Sequence, residues 1–287
     1  MADQPRLLVI EGNTADSCAQ TQALSGTTSG GRYRQSILNA EPDAHVDIIV
    51  AAEADAALPD GVALGDYHGV AIAGSSLHAQ DADTDPRVGR QVDLARAALA
   101  EGLPMLGSCW GLQVGVVAAG GTVAANPRGR EVGVARKISL TPAGRGHPMF
   151  ENKASVFDSV CIHFDEVSHL PPGATVLASN GHSDVQAACF DHGAGSFWGV
   201  QYHPEFDLGH MAYIYERERD EMIESGFCVD TAAHADLLAS YRSLQADADQ
   251  PHLAWLLGVD DDVLDTSMRE REIANWVHRA VLPRVGR

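Results

Sequence analysis

Positive charge is scarce in this chain. Twenty Lys and Arg stand against thirty-nine Asp and Glu in 287 residues, a formal net charge of −19. A nucleic-acid-binding surface needs the reverse, clustered cations that meet phosphate. The same deficit disfavours an anionic membrane surface, and no apolar run approaches the roughly 20 residues of a bilayer-spanning helix. Cysteines are few, odd in number and scattered: Cys18, Cys109, Cys161, Cys189 and Cys228, with no CxxC pair. That pattern argues against a disulfide framework or a structural zinc site. The thirteen histidines contain no HxH or HExxH spacing, so neither a metal nor a cofactor is expected. The opening "MADQPRLLVIEG" runs into a candidate strand rather than through a cationic, apolar leader. These absences lead to the expectation of a cytoplasmic protein with no nucleic-acid or membrane partner.

What is present is an alternation of apolar runs. "RLLVIEG", "HVDIIVAA", "HGVAIAGSS" and "LPMLG" read as strands, and "RQVDLARAALAEG" and "WGLQVGVVAAGG" as helices with glycine stops. Nearly continuous apolar strands separated by helices indicate a parallel sheet covered on both faces. After about residue 122 the pattern shifts to short strands divided by turns: "GVARKISLT", "ASVFDSVCIHF", "ATVLASN", "DVQAACF" and "SFWGVQY". From Leu208 the chain becomes helical and charged, with Ser267 and Glu270 spaced as a capping box for the last helix. The apolar face of "REIANWVHRAVL" fits packing on the sheet in cis or across a two-fold axis of a homo-oligomer. One polar connection, "NTADSCAQTQALSGTTSGGRYRQ", reads as a long loop at the carboxyl end of the first strand, where ligands bind in open parallel sheets.

The chemistry concentrates in two places. "GSCWG" has the form G-x-C-x-G, the cysteine version of an elbow at which a strand turns sharply into a helix. Such a bend holds Cys109 at the top of the sheet, where the N-terminus of the following helix favours a thiolate. A thiol nucleophile needs a base and the base an orienting partner, and "VQYHPEF" supplies His203 and Glu205. Pro204 biases His203 toward extended backbone, in which His203 and Glu205 fall on one side. Cys161 and Cys189 lie in apolar strand patterns and read as core; Cys18 reads as an exposed bystander, and Cys228 has no catalytic context.

Together "GSCWGLQ" and "GVQYHPEF" closely resemble the class I, triad-type glutamine amidotransferase family, in the form of the glutaminase domain of GMP synthase and its free-standing relatives. "GVAIAGSS", "REVGVARKISLT", "CIHFDEVSHLPPGATVLASN" and "DVQAACF" follow in the family's order, so the resemblance covers roughly residues 7 to 207. It implies an α/β fold: a flavodoxin-like open, mostly parallel sheet with helices on both faces and antiparallel strands in the second half. Residues 1–207 would form the amidotransferase-like domain, and 208–287 a helical C-terminal extension packed on it. It also implies a Cys109–His203–Glu205 triad that hydrolyses the γ-amide of glutamine through a γ-glutamyl thioester. The oxyanion donors would be the backbone N–H of Trp110 and that of Gly74 or Ser75, the family's double glycine having become "GSS". Gln113 would reach the amino-acid end of the substrate, and the "HFDEV" stretch would place His163 and Asp165 so that Asp165 pairs with its ammonium. The alternatives are a helix-capping glutamine and a solvated hairpin end.

No GxxxxGK[ST] loop, SGGxDS-like loop or spare globular length for an acceptor-activating synthetase occurs in the chain. Three readings of function stay open. The first is a glutaminase that releases ammonia to a separate synthetase partner. The second is a free-standing γ-glutamyl hydrolase, whose larger leaving group the long loop would enclose. The third is a non-catalytic binding module.

Overall fold

The computed structural model describes residues 4–286. β1 (Arg6–Glu11), β2 (His45–Val50), β3 (Gly69–Ile72) and β4 (Pro104–Ser108) fall on the four apolar runs. They join β11 (Gly195–Val200) in the parallel order β2-β1-β3-β4-β11, the order of flavodoxin-like sheets. The short strands of the second half extend the same sheet antiparallel beyond β11: β10 (Ala187–His192), β9 (Thr175–Ser179), β6 (Glu131–Leu140) and β7 (Val156–His163), nine strands in all. Two short strands that the apolar pattern does not mark, β5 (Thr122–Ala125) and β8 (Asp165–His169), pair as a separate ribbon.

Period-two alternation divides β1 between the two faces. Leu8 and Ile10 pack with α3 (Pro86–Ala100) and α4 (Trp110–Ala118), while Leu7 and Val9 pack with Tyr33 and Ile37 of α2 (Ser29–Ala40). α4 is apolar all round and buried along nearly its whole length, as a helix wedged against a sheet must be.

The expected long loop after β1 is instead two helices, α1 (Ala15–Ser25) and α2. The small polar residues that suggested a loop are caps. Thr14 and Thr28 accept from the backbone N–H of Ser17 and Gly31, and Gly26 ends α1 at φ 78°. α1 also lacks an apolar stripe, with Thr21 its one buried residue, so no helical period marks it.

The tail comprises α6 (Leu208–Arg217), α7 (Arg219–Glu224), α8 (Thr231–Ala246), α9 (Pro251–Leu257), α10 (Asp261–Leu264), α11 (Thr266–Arg269) and α12 (Arg271–Trp276), following the short α5 (Pro142–Gly146). Met211, Leu238 and Tyr241 of α6 and α8 cluster with Val160 of β7. Ile273, Trp276, Val277 and Val281 are buried in the cluster around Leu7 and Val9. The last helical stretch therefore packs in cis. The Ser267–Glu270 capping box does not form; Asp265 caps that turn, accepting from Ser267 and Met268 N–H.

A buried ion pair fastens the tail. Lys153 Nζ lies 3.0 Å from Glu272 Oε2, and Tyr202 donates to Glu272 Oε1 at 2.6 Å, all three sealed from solvent. Removing one charge of such a pair strands the other. Glu272→Gln is expected to lower unfolding stability by about 3–5 kcal/mol, read as a lower denaturant midpoint.

Candidate active site

Carboxyl ends of parallel strands gather the candidate residues. β4 ends at Ser108, and Cys109 follows with φ 51° and ψ −103°, its N–H bonded to Val200 O at 2.7 Å. A non-glycine residue pays for this conformation with strain. The flanking glycines are required sterically. A Cβ on Gly107 would lie 2.3 Å from Gly111 C, and one on Gly111 would lie 2.2 Å from Ile72 O. Trp110 opens α4, so its N–H has no partner within the helix. Cys109 is buried yet lines a cavity of about 150 Å³ that opens to solvent, and its Sγ lies 3.5 Å from Ile162 O.

His203 and Glu205 meet as expected but for a different backbone reason. The segment is a turn, not an extended strand: Phe206 N–H bonds to His203 O at 3.3 Å, with Pro204 inside. His203 Nδ1 lies 2.8 Å from Glu205 Oε1, and both side chains are buried. Nε2 is thus the nitrogen left for the cavity. Burial opposes charge on His203, but the negative charges of Glu205 and Cys109 outweigh it and push its pKa up to about 10. The other four thiols are held protonated: burial, with Glu11 and Glu53, raises Cys18 to about 12, and burial raises Cys161, Cys189 and Cys228. Cys18 is half-buried in α1 rather than exposed, and Cys189 is only partly buried.

Gly74 and Ser75 follow β3 and line the same cavity. A Cβ at Gly74 would come within 2.9 Å of His203 Cε1, so the absence of a side chain lets the imidazole approach this loop. Asn13, which no motif singles out, clamps the loop. Its Nδ2 donates to Gly74 O at 3.1 Å, and its Oδ1 accepts from Ser76 N–H at 3.3 Å. Glu11 holds Asn13 in turn, accepting from its N–H and Nδ2 through Oε1 while Oε2 accepts from Gly30 N–H at 2.7 Å.

The remaining candidates are brought together, with their polar groups largely engaged. Gln113 donates to Asp165 O at 3.1 Å and Gln201 Oε1 at 3.3 Å, which leaves its carbonyl oxygen without a protein partner among the described residues. His163 is buried between Glu131 Oε2, 2.9 Å away, and Asp165 O, 3.0 Å away, so it braces the Asp165 backbone. Asp165 is buried rather than solvated, and its Oδ2 lies 2.6 Å from His78 Nδ1. His78 also escapes the sequence motifs; its one signal is its place four residues beyond Gly74. Among the described residues no cluster of three or more His, Cys, Asp or Glu side chains is placed to hold a metal, and no helix is long and apolar enough to cross a membrane.

The fold and site together define an α/β protein with a flavodoxin-like sheet, a cysteine at a strand–helix elbow and a histidine–carboxylate pair at the same cavity. The chain belongs to the glutamine amidotransferase class-I family, whose model matches residues 32–219. It is 33% identical over 283 residues to a γ-glutamyl-L-1-hydroxyisopropylamide hydrolase of a Pseudomonas species, spanning 97% of this chain and 94% of that protein. It is also 33% identical over 117 residues to one of the subunits of the glutamine-hydrolysing GMP synthase of Methanocaldococcus jannaschii, 40% of this chain and 57% of that one. Of the GMP synthase of Thermomicrobium roseum it matches only 19%, at 37% identity over 107 residues, 37% of this chain. A glutamine amidotransferase structure from Thermotoga maritima shares the fold with a TM-score of 0.64 at 19% identity, covering 94% of this chain and 98% of that one.

Proposed function

We propose that the chain is a cysteine-dependent γ-glutamyl amide hydrolase. Cys109 would be the nucleophile, His203 the acid–base and Glu205 its orienting partner, and the leaving group would be an organic amine. The observation that carries this choice over a glutaminase is the match to the Pseudomonas amide hydrolase along nearly the full length of both chains, whereas the GMP synthase matches stop at part of either.

In the reactive form the thiol proton resides on His203, which its raised pKa favours. The Cys109 sulfur adds to the γ-carbonyl carbon, and the C=O electron pair moves onto oxygen. The N–H of Trp110 and of Gly74 or Ser75 would receive that charge. Collapse breaks the C–N bond while His203 protonates the departing nitrogen, leaving a γ-glutamyl thioester and free amine. Water then loses a proton to His203 and adds to the thioester carbon. The C–S bond breaks, returning the sulfur anion and releasing glutamate. Asp165 would hold the substrate ammonium with the oxygen that His78 leaves free, and Gln113 would offer its carbonyl oxygen.

A second reading, glutamine hydrolysis with ammonia passed to a separate synthetase partner, is favoured by the match to the Methanocaldococcus GMP synthase. Amine release from γ-glutamyl alkylamides is compared with ammonia release from glutamine. The hydrolase reading expects kcat/KM at least about tenfold higher for the amides, one pocket group being worth that much. Glutamine as the better substrate would reverse the assignment.

A further inference from the structure

β3 lies between β1 and β4 in the sheet. The loop that leaves it, residues 74–76, therefore runs with Asn13 on one flank, just past β1, and Cys109 on the other, just past β4. A loop N–H turned to the β4 flank faces the sulfur, and one turned to the β1 flank does not. At Ser75 the side chain of Asn13 decides between the two.

Asn13 grips the peptide units on both sides of Ser75. Its Nδ2 donates to Gly74 O at 3.1 Å, and its Oδ1 accepts from Ser76 N–H at 3.3 Å. The amide has only one workable orientation. Nδ2 also donates to Glu11 Oε1 at 2.9 Å, and exchanging the two ends would set an oxygen against both a carboxylate and a carbonyl. Glu11 is itself 1% exposed and accepts from Gly30 N–H at 2.7 Å, so the clamp has a fixed base. Gly12 keeps the end of β1 close to the loop: a Cβ there would fall 2.8 Å from Ser75 Cβ and 3.0 Å from Gly74 O. No peptide bond among the described residues is cis, and in a trans unit C=O and N–H point opposite ways. With Gly74 O drawn to the β1 flank, Ser75 N–H is turned to the β4 flank. Ser75 lines the same cavity as Cys109, and its N–H has no protein partner among the described residues.

We propose that Asn13, held by Glu11, is a positioning residue for the reaction. It presents Ser75 N–H, alongside Trp110 N–H, to the oxygen that becomes negative as the Cys109 sulfur adds to the γ-carbonyl. The inference rests on Cys109 as the nucleophile in the reading above, and not on which amine departs. A donor aimed in advance at developing charge needs no reorganisation when the charge appears. A loop of small residues free to rotate about the 74–75 peptide loses that advantage. The neutral carbonyl of the bound substrate gains less from the same N–H than the oxyanion does, so loosening the clamp lowers kcat and spares KM.

The test is a double-variant cycle on the full chain, with active sites counted by alkylation of Cys109 so that kcat refers to folded enzyme. Replacing Ser75 by its α-hydroxy acid keeps the side chain and exchanges the backbone N–H for an ester oxygen; kcat is expected to fall by about 10²–10³-fold. Asn13→Ala is expected to lower kcat by about 10²-fold with KM unchanged. Because Asn13 acts through that one N–H, adding Asn13→Ala to the ester enzyme should cause little further loss. Losses that multiply in the double variant, a loss confined to KM, or an ester effect at Gly74 larger than that at Ser75 would overturn the proposal while Cys109 catalysis stood. Full turnover by Cys109→Ala would instead remove the nucleophile reading and the proposal with it.

Discussion

Cys109→Ala is expected to abolish turnover, by about 10⁴-fold or more in kcat, with the fold intact. The sulfur is the only heavy atom removed, and no other cysteine can replace it: burial raises the thiol pKa at Cys18, Cys161, Cys189 and Cys228. Rapid quenching of the wild type with substrate should trap a γ-glutamyl adduct on the Cys109 peptide, and none on Cys18 or Cys228. Adduct on another cysteine would end the assignment. The backbone at this position adds a second expected result. With φ 51° and ψ −103° at Cys109, strain of about 1–3 kcal/mol is stored at the elbow. Cys109→Gly relieves it at a cost of about 0.5–1 kcal/mol in unfolded-state freedom. The inactive glycine variant should therefore unfold at equal or higher denaturant than the wild type. A clear loss of stability would show that the elbow is unstrained.

His203→Ala is expected to cost about 10⁶-fold in kcat, because thiol activation and amine protonation fail together. Glu205→Gln should be milder, about 10⁴-fold, and diagnostic through pH. Burial disfavours the imidazolium, yet Glu205 and Cys109 raise the His203 pKa to about 10 from its ordinary 6.5. A group raised in the folded state contributes stability that is fully present below pH 6.5 and is lost as pH climbs through about 10. Across that window the loss runs to at most about 1.4 kcal/mol per pH unit. Because the charged form is also the acid that releases the amine, activity should fall on the alkaline side of the same interval. Glu205→Gln removes the foremost raising charge, so both the alkaline limb of kcat and the stability decline should move to lower pH. An alkaline limb that stayed in place would show that Glu205 does not control this proton.

Parts of this account were legible from residue order because they are short-range. Glycine two places either side of Cys109, and histidine two places before Glu205, are local patterns whose geometry follows from sterics and a turn. Apolar periodicity likewise marked the strands of the parallel half. β5 and β8 escaped because each is short and half-exposed, so neither carries a core period. The helices after β1 escaped because capping Thr and Gly residues have the composition of a loop, and α1 buries too little to show a stripe.

By its order of residues alone this chain determined a parallel α/β sheet, an elbow cysteine and a histidine–carboxylate pair downstream. Tertiary structure decided what surrounds them: Asn13 and Glu11 holding the loop at Gly74, and His78 on Asp165. It also decided that the tail closes over the sheet in cis, through Trp276 and the Lys153–Glu272 pair. The physical reason is separation. Asn13 and Gly74 are 61 positions apart, and His78 and Asp165 are 87 apart. No local propensity records such pairings, and only the sheet order that brings the strand ends together creates them.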